Sequence, residues 1–270
     1  MPELPEVEFC RRAVLCWTAG RRIAGVQVLD PRVVRDSRTD RPSAGSPAAL
    51  ERLDRIARSA PLGLDRHGKR LLWRFEAGSI LLHLGMTGRW TRGPSPFPKV
   101  RLLLDDGAAI TFHDPRLLGG IVPFSSHAEG QQALSLGLGP DALRDPLPAL
   151  PGRRPIKVVL MDQSVVAGLG NVQAMEALWR AGLHPLQPAG GLGPVEHRRL
   201  ADAVQEQLAA TFTLLGDGHE VAYVEEPGAS NPFPLYQREG EPCPRCSTPI
   251  ATFRQAGRGT WWCPGCQGTR

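Results

Sequence analysis

Four of the six cysteines in this 270-residue chain fall as two CxxC pairs, Cys243/Cys246 and Cys263/Cys266, with 16 residues between the pairs. Thiolates at that spacing can close one tetrahedral Zn²⁺ site, each pair on a tight turn and the chain between them folding back as a hairpin. The hairpin carries Arg254 and Arg258, which a metal would hold in place despite the small core around them. Trp261 and Trp262 are expected to pack the ribbon. At the other end, the chain opens MPELPEVE. With Met1 removed, Pro2 would present a secondary amine beside the carboxylate of Glu3, a nucleophile next to its acid/base partner. An α-amino group has an ordinary pKa of about 7.7 to 8.0, so free base is available near neutrality. The plainer alternative is a frayed lead-in to a helix.

Two further groupings suggest contact with a polyanion. In MDQSVVAGLGNVQAMEAL a glycine-flanked turn precedes a helix starting near Asn171, whose N-terminus would suit a phosphate, and Lys157 one helix upstream would add charge. In HLGMTG and HDPRLLGG, Met86, Arg116 and Leu118 stand beside turn residues. They would serve as apolar wedges and a hydrogen-bonding plug in a duplex, or, for Met86 and Leu118, as ordinary core. Only Lys69, Lys99 and Lys157 are lysine among 32 basic residues, so these three become candidates for a compact or titratable charge.

These groups need elements to hold them. VEFCRRAVLCWTAG places Val7, Val14, Leu15 and Trp17 at helical intervals and stops at Gly20, with Cys10 and Cys16 as plain helix residues. RIAGVQVLD, the run from LDRIARSAP to HLGMTG, and VRLLLDDGAAITFHDP read as short β-rich stretches broken by Gly and Asp, with DDG a hairpin turn. The proline-dense GPDALRDPLPALPGRRP interrupts regular structure and reads as a linker. From Ile156 the period is helical to about Gly218, and VEEPGASNPFPLYQREGEP reads as loop. The expected divisions are a β-rich domain over 1–135, a linker over 136–155, a helical domain with its loop over 156–235, and the cysteine hairpin over 236–270.

Composition limits the class. With 41% apolar residues the chain can bury a core, and no apolar run reaches the roughly 20 residues of a membrane span. The first 30 residues carry charge where a secretory signal would be apolar, so a cytoplasmic chain is expected, whose paired cysteines serve metal and not disulfides. Net charge is +5 and pI about 9.1. Residues 21–76 hold 13 Lys+Arg against 7 Asp+Glu, and residues 236–270 hold five against two. Two separated basic stretches permit nucleic-acid binding without demanding it.

MPELPEVE, HGKRLL, HLGMTG, DPRLLGG, MDQSVVAGLGN and the terminal CxxC pairs, in that order, resemble the formamidopyrimidine-DNA glycosylase/endonuclease VIII family over essentially the whole chain. The resemblance implies an α+β multidomain fold: an N-terminal β-sandwich with an N-terminal helix, then a helix–two-turn–helix domain ending in a β-hairpin zinc finger. It implies a bifunctional glycosylase and abasic-site lyase of base excision repair, a bacterial, nucleoid-associated monomer acting on damaged double-stranded DNA with one structural zinc. Pro2 would be the nucleophile forming a Schiff base, Glu3 the acid/base group, Lys69 the catalytic lysine, and Arg258 the hairpin arginine of phosphate binding and the second elimination. Met86, Arg116 and Leu118 match the void-filling trio, Lys157 and Asn171 phosphate-binding positions, and Glu6 and Glu176 acidic positions near the lesion pocket. PELPEV favours oxidised or ring-opened purines over the endonuclease VIII preference for oxidised pyrimidines, where glycine typically stands in place of Leu4. Leu118 and Gln173, where the purine branch usually has phenylalanine and tyrosine, and the 217–234 loop depart from that branch. A zinc-finger protein that recognises damage without cutting is the reading from another class.

Overall fold

Glu3 has extended backbone, Pro5 falls in the first turn that follows, and the helix α1 (Leu4–Thr18) begins there. The Glu3 N–H donates to the Glu6 carboxylate at 2.9 Å, half of a capping box that gives two end groups of the helix a partner. Val7, Cys10, Val14 and Trp17 recur on one side and are buried, while Cys16 on the other is exposed. The computed structural model describes residues 2–37, 46–216, 224 and 228–268.

Eight strands follow: β1 (Ile23–Val28), β2 (Pro61–His67), β3 (Arg70–Phe75), β4 (Gly78–His83), β5 (Arg89–Arg92), β6 (Pro98–Leu104), β7 (Ala109–His113) and β8 (Gly120–Phe124). They form two antiparallel four-stranded sheets, β1-β6-β7-β5 and β2-β3-β4-β8. Val100, Leu102, Ile110 and Phe112 from one sheet and Leu71, Trp73, Phe75 and Leu82 from the other share a core with Val7, Val14 and Trp17. The expected DDG turn joins β6 to β7, with Gly107 at φ 85°.

Two helices replace expected β structure or loop. Leu53–Ala57, read from the sequence as part of a β run, completes α2 (Pro47–Ala57). Ser46 caps it by accepting from the Ala49 N–H at 3.1 Å, and Ala49, Leu53, Ile56 and Ala57 bury at helical spacing. Ser126 likewise caps α3 (His127–Ser135), whose Leu134 covers Leu72, Leu81 and Val122 on the outer face of the second sheet.

This first compact unit runs to Leu136; a second begins at Gly137, continues to Gly216, and includes the chain from 228 onward. Residues 137–155 form no helix or strand, as their prolines dictate. The second unit holds α4 (Ile156–Leu160), α5 (Asn171–Ala181), α6 (Pro194–Leu215) and the hairpin β9 (Ala251–Gln255) with β10 (Arg258–Trp262). Of the 217–234 loop, residues 217–223 and 225–227 lie outside the described residues. Among described residues, no helix is long and apolar enough to cross a membrane.

Candidate active site and nucleic-acid interface

Pro2, Val7, Lys69, Arg70, His83, Leu84 and Gly85 line a cavity of about 250 Å³ in the first unit. Pro2 and Glu3 are buried, so these two residues are not a frayed lead-in. Both stand at the N-terminus of α1, at the positive end of its helix dipole. Beside them the Glu6 carboxyl is pushed up to about 7, chiefly by burial and then by the charge of Glu3.

Lys69 projects from a two-residue turn between β2 and β3, where Gly68 adopts φ 54°. That turn is braced from inside. The buried Arg66 donates to Gly68 O at 3.0 Å and to Glu8 Oε2 at 3.0 Å, and Glu8 also accepts from Arg11 at 2.8 Å and Arg12 at 3.0 Å. Burial alone would raise the Glu8 carboxyl; the three guanidinium groups hold it instead at about 2. The helix that Glu3 caps is thus tied to the turn that carries Lys69. Sequence reading missed Glu8 and Arg66, though arginines three and four residues after Glu8 were a visible signal.

Met86 and Leu118 are 38% and 37% exposed, and Arg116 is exposed, so none is core. All three stand on loops that meet closely, since a Cβ on Gly85 would collide with the backbone of Leu118 and Gly119. Lys99 is an ordinary ion pair with Asp30 at 3.1 Å.

In the second unit, two turns join α4 to α5. Gln163 stitches them, donating to Met161 O at 2.9 Å and Leu169 O at 2.7 Å and accepting from the Gly168 N–H at 3.0 Å. Asn171 is the first residue of α5, after an extended Gly170. Its Nδ2 donates to Gly259 O at 3.1 Å. Lys157, expected near phosphate, is 1% exposed: its Nζ donates to Thr260 Oγ1 at 2.7 Å and lies 3.3 Å from Gly259 O. Both residues therefore grip the strand that starts with the exposed Arg258. Glu176 is also buried within this unit, where its Oε1 accepts from the Leu235 and Tyr236 N–H groups at 2.9 and 3.0 Å, and burial pushes its carboxyl up to about 7. Gln173 faces α6, accepting from Thr211 at 3.0 Å and Gln207 at 3.2 Å.

The Sγ atoms of Cys243, Cys246, Cys263 and Cys266 all lie within 4.8 Å of one another, and none is in a disulfide. Zn–S bonds of about 2.3 Å in a tetrahedron put sulfurs roughly 3.8 Å apart. Separations of 3.8 Å for Cys243–Cys266 and 3.4 Å for Cys246–Cys266 fit one Zn²⁺. Ala256 and Gly257, at φ 47° and 75°, make the tight turn of the hairpin. Tryptophans pack it as expected: Trp261 on Tyr236 at 5.0 Å and Trp262 on His184 at 4.4 Å. Gln267 donates to Leu183 O at 2.9 Å and accepts from the Cys263 N–H at 2.9 Å, so the metal knuckle is docked on the helices.

A helix-led β-sandwich with a cavity at its helix start, a two-turn helix pair and a four-cysteine hairpin together define a DNA glycosylase of base excision repair. Family models of the formamidopyrimidine-DNA glycosylase N-terminal domain, its H2TH domain and the zinc finger found in FPG and IleRS match residues 1–121, 138–221 and 240–268. The chain belongs to the formamidopyrimidine-DNA glycosylase family. It is 38% identical over 282 residues to the formamidopyrimidine-DNA glycosylase of Thermus thermophilus, covering 99% of both chains. The crystal structure of the MutM (Fpg) protein from Thermus thermophilus is similar at a TM-score of 0.79 and 35% identity, over 99% of both chains. A variant of the Lactococcus lactis Fpg in complex with DNA is similar at 0.82 and 26%, over 99% of this chain and 100% of that one.

Proposed function

We propose that this enzyme excises ring-opened or oxidised purines from double-stranded DNA and then cuts the strand at the abasic site. Its nucleophile is the Pro2 amine on a chain from which Met1 has been removed. The observation that carries the reading is the cavity that joins Pro2 to Lys69 at the N-terminus of α1. The amine attacks C1′ of the lesion while the glycosidic bond breaks and its electron pair leaves with the base, which takes up the proton that the amine loses; the C1′–O4′ bond then opens as Glu3 gives O4′ a proton, leaving a C1′=N double bond. The resulting iminium is cationic at any pH and acidifies the C2′ proton, so the 3′ phosphate departs by β-elimination and the 5′ phosphate by a second, δ-elimination. Lys69 supplies charge beside the lesion; Arg258 and Asn171 take phosphates. Met86, Arg116 and Leu118 fill the gap left by the extruded base. Lys157 acts on phosphate through the hairpin it holds, and Glu6 adds a protonatable carboxyl beside Glu3, while Glu176 supports the chain leading to the hairpin.

These roles fall on a sandwich over 1–135, a linker over 136–155, a helix–two-turn–helix domain over 156–235 and a zinc finger over 236–270. The enzyme works as a monomer in the cytoplasm, on the nucleoid. The Lactococcus lactis relative is similar both in complex with Fapy-dG DNA and in complex with DNA containing an oxidised pyrimidine, so support for the purine class comes from the PELPEV opening.

Borohydride trapping on duplexes with a ring-opened purine, an oxidised purine, an oxidised pyrimidine or no lesion is the test. Adducts with the purine lesions, mapped by mass to Pro2, are expected. Adducts with the pyrimidine alone would make the enzyme endonuclease VIII-like, and binding without any adduct would make it a non-cutting damage-recognition protein.

A further inference from the structure

We propose that Asp114 is a positioning residue that locks the two loops bearing Met86, Arg116 and Leu118 into one arrangement, and so sets how well the enzyme acts on a base still held in its pair. This rests on the gap-filling role proposed above for those three residues.

Asp114 follows the end of β7 and is 0% exposed. Its Oδ1 accepts from the Thr87 hydroxyl at 2.9 Å and from the Arg116 N–H at 3.3 Å; its Oδ2 accepts from the Gly119 N–H at 2.7 Å. One carboxylate thus joins the residue after Met86 to the backbone on both sides of Leu118. Hydrogen bonds to an ionised acceptor are the stronger kind, and a buried carboxylate with several donors has little reason to let any go.

The surrounding chain is built for the same end. Leu117 takes φ 53°, a left-handed conformation unusual for a leucine, and tucks half-buried against the core. That inward turn leaves Arg116 and Leu118 exposed on either side of it. Gly85 and Gly119 let the two loops touch backbone to backbone, since a Cβ on Gly119 would crowd Phe112 and the Asp114 carboxylate itself. An exposed apolar side chain on a loose loop would lose conformational freedom on entering a duplex; one already fixed loses little, and more of its contact energy remains for opening the pair. None of the three gap-filling side chains makes the bonds that hold it. Their placement depends on Asp114, which is itself wholly buried.

The test uses the full-length, zinc-loaded enzyme with Thr87→Val, Thr87→Ser, Asp114→Asn and Arg116→Ala. Single-turnover cleavage is measured on a duplex with a paired purine lesion and on the same duplex with a preformed abasic site, with 2-aminopurine beside the lesion reporting unstacking. Thr87→Val is expected to slow the paired lesion about tenfold and the abasic site less than about twofold, the pattern of Arg116→Ala, with a matching loss of unstacking signal. Thr87→Ser, which keeps the hydroxyl, is expected to restore both. Asp114→Asn, which turns an amide toward the Gly119 N–H, is expected to lose more than Thr87→Val in the same direction; should it fail to fold, Thr87→Val decides. Equal losses on the two substrates, or no loss with Thr87→Val, would overturn the assignment. A wild-type chain that does not cut the paired lesion would instead overturn the functional reading beneath it.

Discussion

Lys157 donates to the Thr260 hydroxyl at 2.7 Å, 103 residues along the chain, and so ties the first helix of the two-turn pair to the strand that begins with Arg258. A lysine only 1% exposed works here as a bracket for the hairpin. Its ammonium meets the Thr260 hydroxyl and the Gly259 carbonyl with hydrogen bonds, which is how a buried charge is tolerated.

Lys157→Met is therefore expected to keep its zinc and lose duplex affinity about tenfold, because Arg258 and Asn171 no longer hold their spacing. Metal analysis with a binding titration checks this. Unchanged affinity would return Lys157 to a purely structural role.

Removal of the metal is expected to reach beyond the four thiolates. Since Gln267 joins the Cys263 knuckle to Leu183 and Trp261 and Trp262 pack on Tyr236 and His184, Cys263→Ser should flatten the near-UV circular dichroism of those aromatic residues. Far-UV signal from α5 and α6 should persist while DNA binding falls. Less than half an equivalent of zinc in a fully active wild-type enzyme would defeat the prediction.

Glu176 predicts a pH signature. Its carboxyl, at about 7 in the folded chain against an ordinary 4.5, holds a proton that the unfolded chain releases, so its contribution to stability falls as pH rises from about 4.5 to 7. Glu176→Gln keeps an acceptor for Leu235 and Tyr236 and has nothing to ionise. Urea denaturation should find it more stable than wild type at pH 8, by up to about 3 kcal/mol, with the gap closing toward pH 4.5. A gap that does not change with pH would show that the carboxyl is already ionised when buried.

Glu3→Gln separates the two halves of the proposed reaction. The amine remains and the proton donor does not. Excision of an intact lesion should fall by about a hundredfold or more, while cleavage of a preformed abasic site, whose ring-opened aldehyde reacts with amines unaided, should fall far less. Parallel losses on both substrates would remove Glu3 from protonation of the sugar.

The cysteine pairs and the start of α5 at Asn171 were legible because each is written in a few consecutive residues, whereas local sequence left Met86 and Leu118 open between wedge and core, and only the fold exposes them. Ser46 and Ser126 could have announced α2 and α3, since each stands at a cap position, but strand-like neighbours drew the eye. Lys157 was legible as important and misread in direction, because its partners lie at Gly259 and Thr260 and spacing alone does not show which way a side chain points. The same holds for Glu8, whose bond to Arg66 crosses 58 residues, and for Asp114, whose reach to Thr87 crosses 27. Such contacts exist only once the sheets have formed.

The burial of Pro2 also bears on how the protein must be made. Its helix packs into a core that takes in Trp90, Phe112 and Ile121, residues that leave the ribosome well after it, by a delay on the order of ten seconds at ordinary rates of synthesis. During that delay the first residues have no sandwich to lie against and are open to the enzymes that trim nascent chains. Once the sheets close, Pro2 is buried. The proposed chemistry needs residue 1 gone, so a copy that keeps it would stay a silent competitor for DNA.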